Sequence, residues 1–276
     1  MMGFKLVVVV CLLGASACAV QRQPLLSAVE GSMAQGGIAY GKTTPEAEMA
    51  VRGGYKVHCP SGHFLIGLPS KAPQRLDMIV RGQAKKAKKR LNVRQRSYKT
   101  EYIDGLPGKK VLPDESLWPR IQSEREMIKT ARAQTQGCGR IVEEPTFIYP
   151  VRGRISGEYG SGRVLNGVER SRHFAIDIAA PKGTKVLAPL SGRVVLAGHE
   201  FFYGGNMIML DHGMELTSLY AHLDTMLVKE GDEVARGDVI GEVGSTGRST
   251  GPHVHWGVYL GGVPLDPSLM LFQGEE

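Results

Sequence analysis

The sequence predicts a mainly β protein, in which a small α+β module precedes an antiparallel curved sheet or open barrel. Three observations support this prediction. From about residue 147 onward, short segments rich in Val, Ile, Leu, Tyr and Thr alternate with Gly, Asp or Pro. One earlier segment has helical periodicity. The charge also changes, because residues 1–145 carry 23 basic and 12 acidic side chains, whereas residues 146–276 carry 11 and 15.

The composition is that of a folded protein. The 276 residues are 42% hydrophobic and 22% charged, which excludes disordered, collagen-like and membrane-embedded chains. A net charge of +7 would by itself favour a partner that carries phosphates. The excess positive charge lies within residues 1–145, so a preference for such a partner would apply only to that part of the chain.

The first residues have the pattern of an export signal. Lys5 precedes an apolar run at residues 6–13, which small residues follow. Such a run is too short to span a bilayer. Cleavage after Ala17 would leave Cys18 as the first mature residue, as a bacterial lipoprotein requires. We therefore expect a signal peptide at residues 1–17 and a periplasmic protein, either soluble or anchored in the outer membrane through Cys18.

Two cysteines remain in the interior of the mature chain, Cys59 and Cys138. In an oxidising compartment such a pair predicts one disulfide. The alternative is that Cys59 binds a metal together with His58 and His63. That alternative lacks a second cluster of ligands.

Residues 81–110 contain 11 basic side chains and two acidic ones. Alternation predicts strands around residues 91–93 and 98–102, and the segment IDGLPG predicts a turn after them. The basic run is either a solvated face or a surface that attracts anions in the cell envelope. Because aromatic residues are not regularly interleaved with it, we expect no nucleic-acid binding.

A helix is predicted from Pro119 over the segment PRIQSEREMIKTARA, with proline in its first turn. Ile121, Ile128 and Ala131 have helical spacing, which indicates one apolar face. We expect this helix to pack across the top of the second part of the chain.

The second part contains a series of strand signals. They lie in KVLAPLSGRVVLAG, NMIMLDHG, ELTSLYAHL, DVIGEVGSTG and HVHWGVYLGGVPL. Each segment is short and bounded by turn residues, so the strands are expected to form the antiparallel sheet.

Six of the eight histidines follow residue 170, and several have the spacing of metal ligands. His173 and Asp177 are four residues apart, which places them on one face of an extended strand. His253 and His255 are two apart and also share a face. His222 lies on a third predicted strand.

Zinc at a hydrolytic site typically takes three ligands from His and carboxylate side chains. His173, Asp177 and one histidine of the H-V-H pair would supply them, and the fourth position would remain for a water whose pKa falls towards 7. The remaining two histidines would be free for acid–base work. His199 and His212 have no spaced partner, so we expect structural roles for both.

These residues resemble the lysostaphin and LytM-type zinc endopeptidases, which cut peptide bonds in bacterial peptidoglycan. The resemblance covers residues 146–270 and includes HFAIDIAAPKGTKV, SLYAHL, GDEVARGDVIG and STGRSTGPHVHW. It implies that His173, Asp177 and His255 hold the zinc ion. It also implies that His222 and His253 are the catalytic histidines.

One position departs from the family pattern, because Ala175 stands where these enzymes usually have Gly. An added methyl group excludes only positive φ, so the effect on zinc should be slight. The predicted mechanism uses a zinc-activated water as the nucleophile. His253 would take its proton while His222, as imidazolium, stabilises the oxyanion, and the two roles remain exchangeable.

The resemblance implies an exported zinc metalloendopeptidase, with one Zn²⁺ per chain, that hydrolyses peptide cross-links of peptidoglycan. We expect a basic accessory module at residues 18–145, which limits access to the cleft, and a peptidase domain at residues 146–276. One alternative is a non-catalytic LytM-like domain that activates a cell-wall amidase; such domains usually lack some ligands. The other is a carrier module, whose characteristic turn is missing here. The oligomeric state stays open.

Overall fold

The structure is a computed structural model that describes residues 24–272. Strands dominate it, and nearly all of them pair in an antiparallel manner, as the sequence predicts. The predicted signal peptide and Cys18 lie outside the described residues. Within residues 24–272, no helix combines the length and the apolar character that crossing a membrane requires.

The elements fall into an N-terminal and a C-terminal part. The N-terminal part contains β1 (Glu30–Gly31), β2 (Ile38–Lys42), β3 (Glu48–Arg52), β4 (Tyr55–His58), β5 (His63–Gly67), β6 (Arg75–Arg81), β7 (Lys86–Asn92), β8 (Thr100–Ile103), α1 (Gly108–Val111) and α2 (Trp118–Ala133). The C-terminal part contains β9 (Arg154–Gly157), β10 (Gly162–Leu165), β11 (Val168–Arg170), β12 (Ile176–Ala179), β13 (Lys185–Leu187), β14 (Gly192–Phe201), β15 (Gly205–Gly213), β16 (Leu216–Met226), β17 (Glu233–Val234), β18 (Val239–Val243), β19 (His253–Leu260) and β20 (Val263–Leu265).

One ten-stranded sheet forms the centre of the C-terminal part. Its main path runs β17-β14-β15-β16-β19-β12-β9, while β13, β18 and β20 pair at its sides. The two ends of this path do not meet, so the sheet is open and is not a closed barrel. Strands β15 and β16 are buried along most of their length, and the core beneath them contains Phe147, Tyr220 and Trp256.

The N-terminal part contains two smaller antiparallel sheets, β1-β2-β5-β4 and β3-β6-β7. Along β7, the exposed Lys86, Lys88 and Arg90 alternate with Ala87 and Leu91, which pack on a hydrophobic core beneath the sheet. The period of two therefore turns this section of the basic run towards solvent.

Strand β8 and helix α2 of the N-terminal part both contact the C-terminal part directly. Strand β8 pairs in parallel with β10. Helix α2 begins near Pro119, as predicted, and packs on β14 and β15 through Ile128 and Ala131. The division at residue 145 remains a prediction, and the largest core cluster includes residues from both sides of it, such as Leu65 and Trp256.

The predicted disulfide is confirmed, because Cys59 and Cys138 are bonded. Cys59 follows β4, and Cys138 lies in a short 3₁₀ turn, Gly137–Gly139, after α2. The bond therefore ties the first sheet to the segment that leads into the C-terminal part. A role for Cys59 as a metal ligand is wrong, since its sulfur is used in this bond.

Candidate metal centre

Neighbouring strands bring the predicted ligands together. β12 and β19 pair with Asp177 directly opposite His255, and side chains of opposed residues lie on one face of a sheet. His173 comes just before β12, where backbone hydrogen bonds to Gly160 and Ser161 hold it. The register of the sheet therefore brings together the three residues whose spacing predicts a metal site.

Side-chain atoms of His173, Asp177 and His255 form a compact group, the metal group. The Nε2 atom of His173 lies 3.1 Å from Oδ1 of Asp177 and 3.0 Å from Nδ1 of His255. That Nδ1 atom lies 2.9 Å from the same carboxylate oxygen. Tetrahedral ligands at about 2.0–2.1 Å from zinc are about 3.3 Å apart. The set of two imidazoles and one carboxylate therefore fits Zn²⁺, with a fourth position left open.

The charges of this group suit metal binding. Burial alone would raise the pKa of Asp177, but hydrogen bonds from His173 and His255 and the favourable electrostatic interaction with the two rings hold it well below its usual range. Burial lowers the pKa of His255 to about 4, against the opposing effect of Asp177. At neutral pH the carboxylate is thus anionic and the His255 ring is neutral, which are the forms that bind zinc.

His222 and His253 lie beside the metal group. Their ring centroids are 4.7 Å apart, and the His222 ring lies 5.9 Å from that of His255. The Nδ1–H group of His222 donates to the Thr246 carbonyl at 2.8 Å, and that of His253 donates to the Gly251 carbonyl at 2.8 Å. These bonds leave Nε2 of each ring available for proton transfer.

His222 has an unusual backbone conformation. Its φ is +64°, its N–H donates to the Gly204 carbonyl at 2.8 Å, and the pairing of β16 with β18 is irregular just after it, between Leu223 and Thr225. A non-glycine residue at positive φ costs about 1–3 kcal/mol, and such residues cluster at functional sites.

Burial of the His222 ring lowers its pKa to about 3, and the electrostatic interactions with His253 and His255 act in the same direction. An imidazolium at His222 is therefore costly in the metal-free chain. A proton acceptor also becomes an imidazolium, so this pKa does not divide the two roles, which stay exchangeable between His222 and His253.

Two further residues, Arg163 and Glu101, belong to the candidate site, and they were not predicted from the sequence. The Arg163 guanidinium donates to Oδ2 of Asp177 and pairs through Nε with Glu101 at 3.4 Å. Glu101 is on β8 and Arg163 on β10, and the two residues are directly paired in the parallel register. The only available signal was the IDGLPG segment near Glu101, which by itself indicates no pairing partner.

A cavity of about 460 Å³ opens beside His173, His222 and His255. Helix α2 forms one of its walls through Ile121 and Ile128. The predicted helix of the N-terminal part therefore shapes the space in which a substrate would bind.

A smaller cavity of about 160 Å³ borders Asp177 and His253 on another side of the metal group. Ile103, the last residue of β8, and Leu106, which follows the strand, line this cavity. Segments of the N-terminal part thus border the site on two sides. That they limit access of the substrate stays a prediction.

The two histidines left out of the predicted site lie elsewhere. His212 is fully buried, with Nδ1 hydrogen-bonded to the Ser191 carbonyl at 2.9 Å and Nε2 at 2.7 Å from the Ser218 hydroxyl. His199 is exposed on β14. The contacts of His212 fit the structural role expected for it.

The sequence of this region matches a known peptidase family. The profile of peptidase family M23 matches residues 171–267, which contain all five predicted site residues. The DD-carboxypeptidase/endopeptidase Mpg of Neisseria meningitidis is 46% identical over 95 residues, or 34% of this chain and 22% of that protein. The murein hydrolase activator NlpD of Escherichia coli is 36% identical over 122 residues, 44% of this chain and 30% of that protein.

Among solved structures, a peptidase M23 from Pseudomonas aeruginosa matches with a TM-score of 0.63 and 27% identity, over 86% of this chain and 94% of that chain. The similarity therefore includes much of the N-terminal part. The two curated relatives match over less than a third of their own length. Together with the metal-ligand geometry, these matches show that the C-terminal part of the chain contains a peptidase family M23 domain.

Proposed function

We propose that the protein is an exported zinc metalloendopeptidase that hydrolyses peptide cross-links of bacterial peptidoglycan. The observation that carries the proposal is the clustering of five side chains beside the two cavities: His173, Asp177, His222, His253 and His255. Three offer metal ligands, and two keep a ring nitrogen available for proton transfer. A domain that only binds a partner has no chemical need for this combination.

The residues suggest how hydrolysis proceeds. Zn²⁺ held by His173, Asp177 and His255 would polarise the scissile carbonyl and make hydroxide available near neutral pH. One of the two rings, His222 or His253, each fixed through Nδ1, would take a proton of the attacking water at Nε2. The other ring would donate a hydrogen bond from Nε2 to the developing oxyanion, and the proton taken from water would pass to the leaving amine as the C–N bond breaks.

The proposed substrate is the cross-link between D-alanine and meso-diaminopimelate. The DD-carboxypeptidase/endopeptidase name of the Neisseria relative supports this type of bond. The disulfide between Cys59 and Cys138 supports an oxidising compartment. With the predicted export signal, these features favour the periplasm of a Gram-negative cell, where the mature chain would be soluble or anchored through Cys18.

The name of the NlpD relative motivates an alternative, in which the domain activates an amidase without hydrolysing a bond itself. Digestion of purified cross-linked muropeptides by the zinc-loaded mature chain, followed by mass analysis, tests both functions. The peptidase proposal predicts that dimeric muropeptides are converted to monomers, and that His222→Ala releases no monomers. No cleavage, combined with faster hydrolysis by an added amidase, would support the activator instead.

A further inference from the structure

Arg248 lies in the loop between β18 and β19 and lines both cavities beside the metal group. Its N–H donates to the Tyr203 carbonyl at 2.8 Å. Gly247 and Gly205 both have positive φ, and a Cβ on Gly247 would lie 2.4 Å from the Gly205 nitrogen. The two loops are therefore packed backbone to backbone, which fixes the position of Arg248.

The same two loops hold the catalytic-histidine candidate His222. Its N–H donates to the carbonyl of Gly204, and its Nδ1–H donates to the carbonyl of Thr246, each at 2.8 Å. Arg248 is two residues after Thr246. The guanidinium and the His222 ring thus share one rigid support, so a group bound by Arg248 would have a fixed relation to the reacting bond.

The guanidinium of Arg248 is half-buried and stacks over the Tyr203 ring, with 4.5 Å between the guanidinium carbon and the ring centroid. Burial lowers its pKa, Tyr203 opposes this, and the positive charges of Arg163 and Arg170 lower it further. Within residues 24–272, no carboxylate forms an ion pair with it. A partly desolvated guanidinium of this kind has unused hydrogen-bond donors.

Two neighbouring arginines already have hydrogen-bond partners. Arg163 bonds to Asp177 and Glu101, and Arg172 donates to the Gly160 carbonyl at 2.7 Å.

The larger cavity is nevertheless rich in positive charge. Its lining includes the arginines Arg125, Arg132, Arg163, Arg172 and Arg248 and a single acidic residue, Glu124. Glu124 is engaged by Arg120 and by the Phe202 N–H. The free positive charge beside the reacting atoms therefore suits an anionic group on the ligand.

We propose that Arg248 binds a free carboxylate of the substrate peptide that neighbours the scissile bond. Arg248 would then be a specificity-determining residue, which selects peptides whose carboxylate at this position is free over peptides in which it is amidated. A planar guanidinium suits a carboxylate because two parallel hydrogen bonds can form. The inference rests on the proposed peptidase function and specifies its substrate class.

Two synthetic peptide dimers test this inference. Both contain the D-alanyl–meso-diaminopimelate bond, and they differ only in whether the diaminopimelate carboxylate next to that bond is free or a carboxamide. For the zinc-loaded mature chain, amidation should lower kcat/KM by about 10–100-fold, because the unpaired guanidinium rejects the neutral analogue. In Arg248→Gln, cleavage of the free dimer should fall and the ratio between the dimers should approach one.

Arg125→Gln is the matched comparison, since it removes a charge from the α2 wall of the same cavity. The ratio of kcat/KM between the free and the amidated dimer should be the same in Arg125→Gln as in the wild-type chain. Equal cleavage of both dimers by the wild-type chain would overturn the inference, as would an unchanged ratio in Arg248→Gln. An equal loss of the ratio in Arg125→Gln would overturn the assignment to Arg248 and would indicate general attraction by positive charge.

Binding of uncleavable peptides separates this inference from the proposed function. The probes are N-acylated diaminopimelyl tripeptides with the same carboxylate free or amidated. Tighter binding of the free form by about tenfold, lost in Arg248→Gln, supports the inference even if neither dimer is cut and the peptidase proposal fails. Cleavage without any carboxylate dependence of binding refutes the inference and leaves the peptidase proposal intact.

Discussion

Arg163 donates a hydrogen bond to Oδ2 of Asp177, while Oδ1 of the same carboxylate contacts His173 and His255. One carboxylate oxygen is therefore oriented by the protein and the other is turned to the metal group. Arg163 is itself paired with Glu101, whose other oxygen accepts from the Glu158 N–H at 2.9 Å. Strand β8 of the N-terminal part thus supports Asp177, a predicted metal ligand of the C-terminal part.

This relationship predicts that Glu101 contributes to zinc affinity. Glu101→Gln keeps the shape of the side chain but removes its charge, so Arg163 and Asp177 should be held less firmly. Because partners of metal ligands usually affect affinity by about 10–100-fold and Glu101 is one contact further away, we expect a loss of about 3–10-fold. Competition with a chromophoric chelator measures it.

Glu126→Gln is the control for this experiment, since Glu126 is an exposed acid on α2 that pairs with Lys129. It should leave zinc affinity unchanged. If Glu101→Gln also binds zinc as tightly as the wild-type chain, β8 only packs against the C-terminal part.

The disulfide predicts a large effect on stability. Cys59 and Cys138 are 79 positions apart, and in the chain-entropy model a crosslink over such a loop stabilises by about 4–5 kcal/mol. Replacing both cysteines by serine should lower the free energy of unfolding by about 3–5 kcal/mol in denaturant titrations. Free-thiol titration of the denatured, unreduced mature chain should detect neither cysteine, and two reactive thiols would contradict the bond.

His212 predicts a pH dependence of stability. Burial lowers its pKa to about 4, so the folded chain keeps it neutral where the unfolded chain protonates it. The free energy of unfolding is therefore not reduced by His212 above its ordinary pKa of about 6.5. It decreases as the pH falls from there towards 4.

Between pH 7 and pH 5 this loss amounts to about 2 kcal/mol. We therefore expect the wild-type chain to lose about that much more stability than His212→Gln over this range. Denaturant titrations with a chelator present exclude the effect of bound metal. Parallel curves for the two proteins would show that His212 is accessible to protons in the folded state.

The sequence could predict the parts of the site that depend on spacing along one strand. His173 with Asp177, and His253 with His255, follow from the period of two, and the antiparallel pairing of β12 with β19 brings the two sets together. Helix α2 could be predicted for a similar reason, since its buried residues repeat with the helical period.

Contacts between distant segments could not be predicted in this way. The pairing of Glu101 with Arg163 depends on a parallel register between β8 and β10, and no local pattern at either residue specifies it. The positive φ of His222 depends on packing against the Gly204 and Thr246 loops. The wall that α2 forms depends on the path of the chain after β8, which charge and periodicity do not determine.

The two histidines of the H-V-H pair have different proposed roles, His255 as a metal ligand and His253 as a catalytic residue. Nδ1 of His255 lies 2.9 Å from Oδ1 of Asp177, whereas Nε2 of His253 lies 4.0 Å from that oxygen. Variants of His173 and Asp177 should lose zinc as His255→Ala does, so the two histidines of the H-V-H pair are the decisive comparison.

The most direct test measures zinc content and turnover of His253→Ala and His255→Ala side by side. We expect His255→Ala to be zinc-free and inactive, while His253→Ala keeps one zinc per chain and loses about 10²–10⁴-fold in kcat. His222→Ala should behave like His253→Ala. A zinc-free His253→Ala beside a zinc-loaded His255→Ala would contradict the site as described.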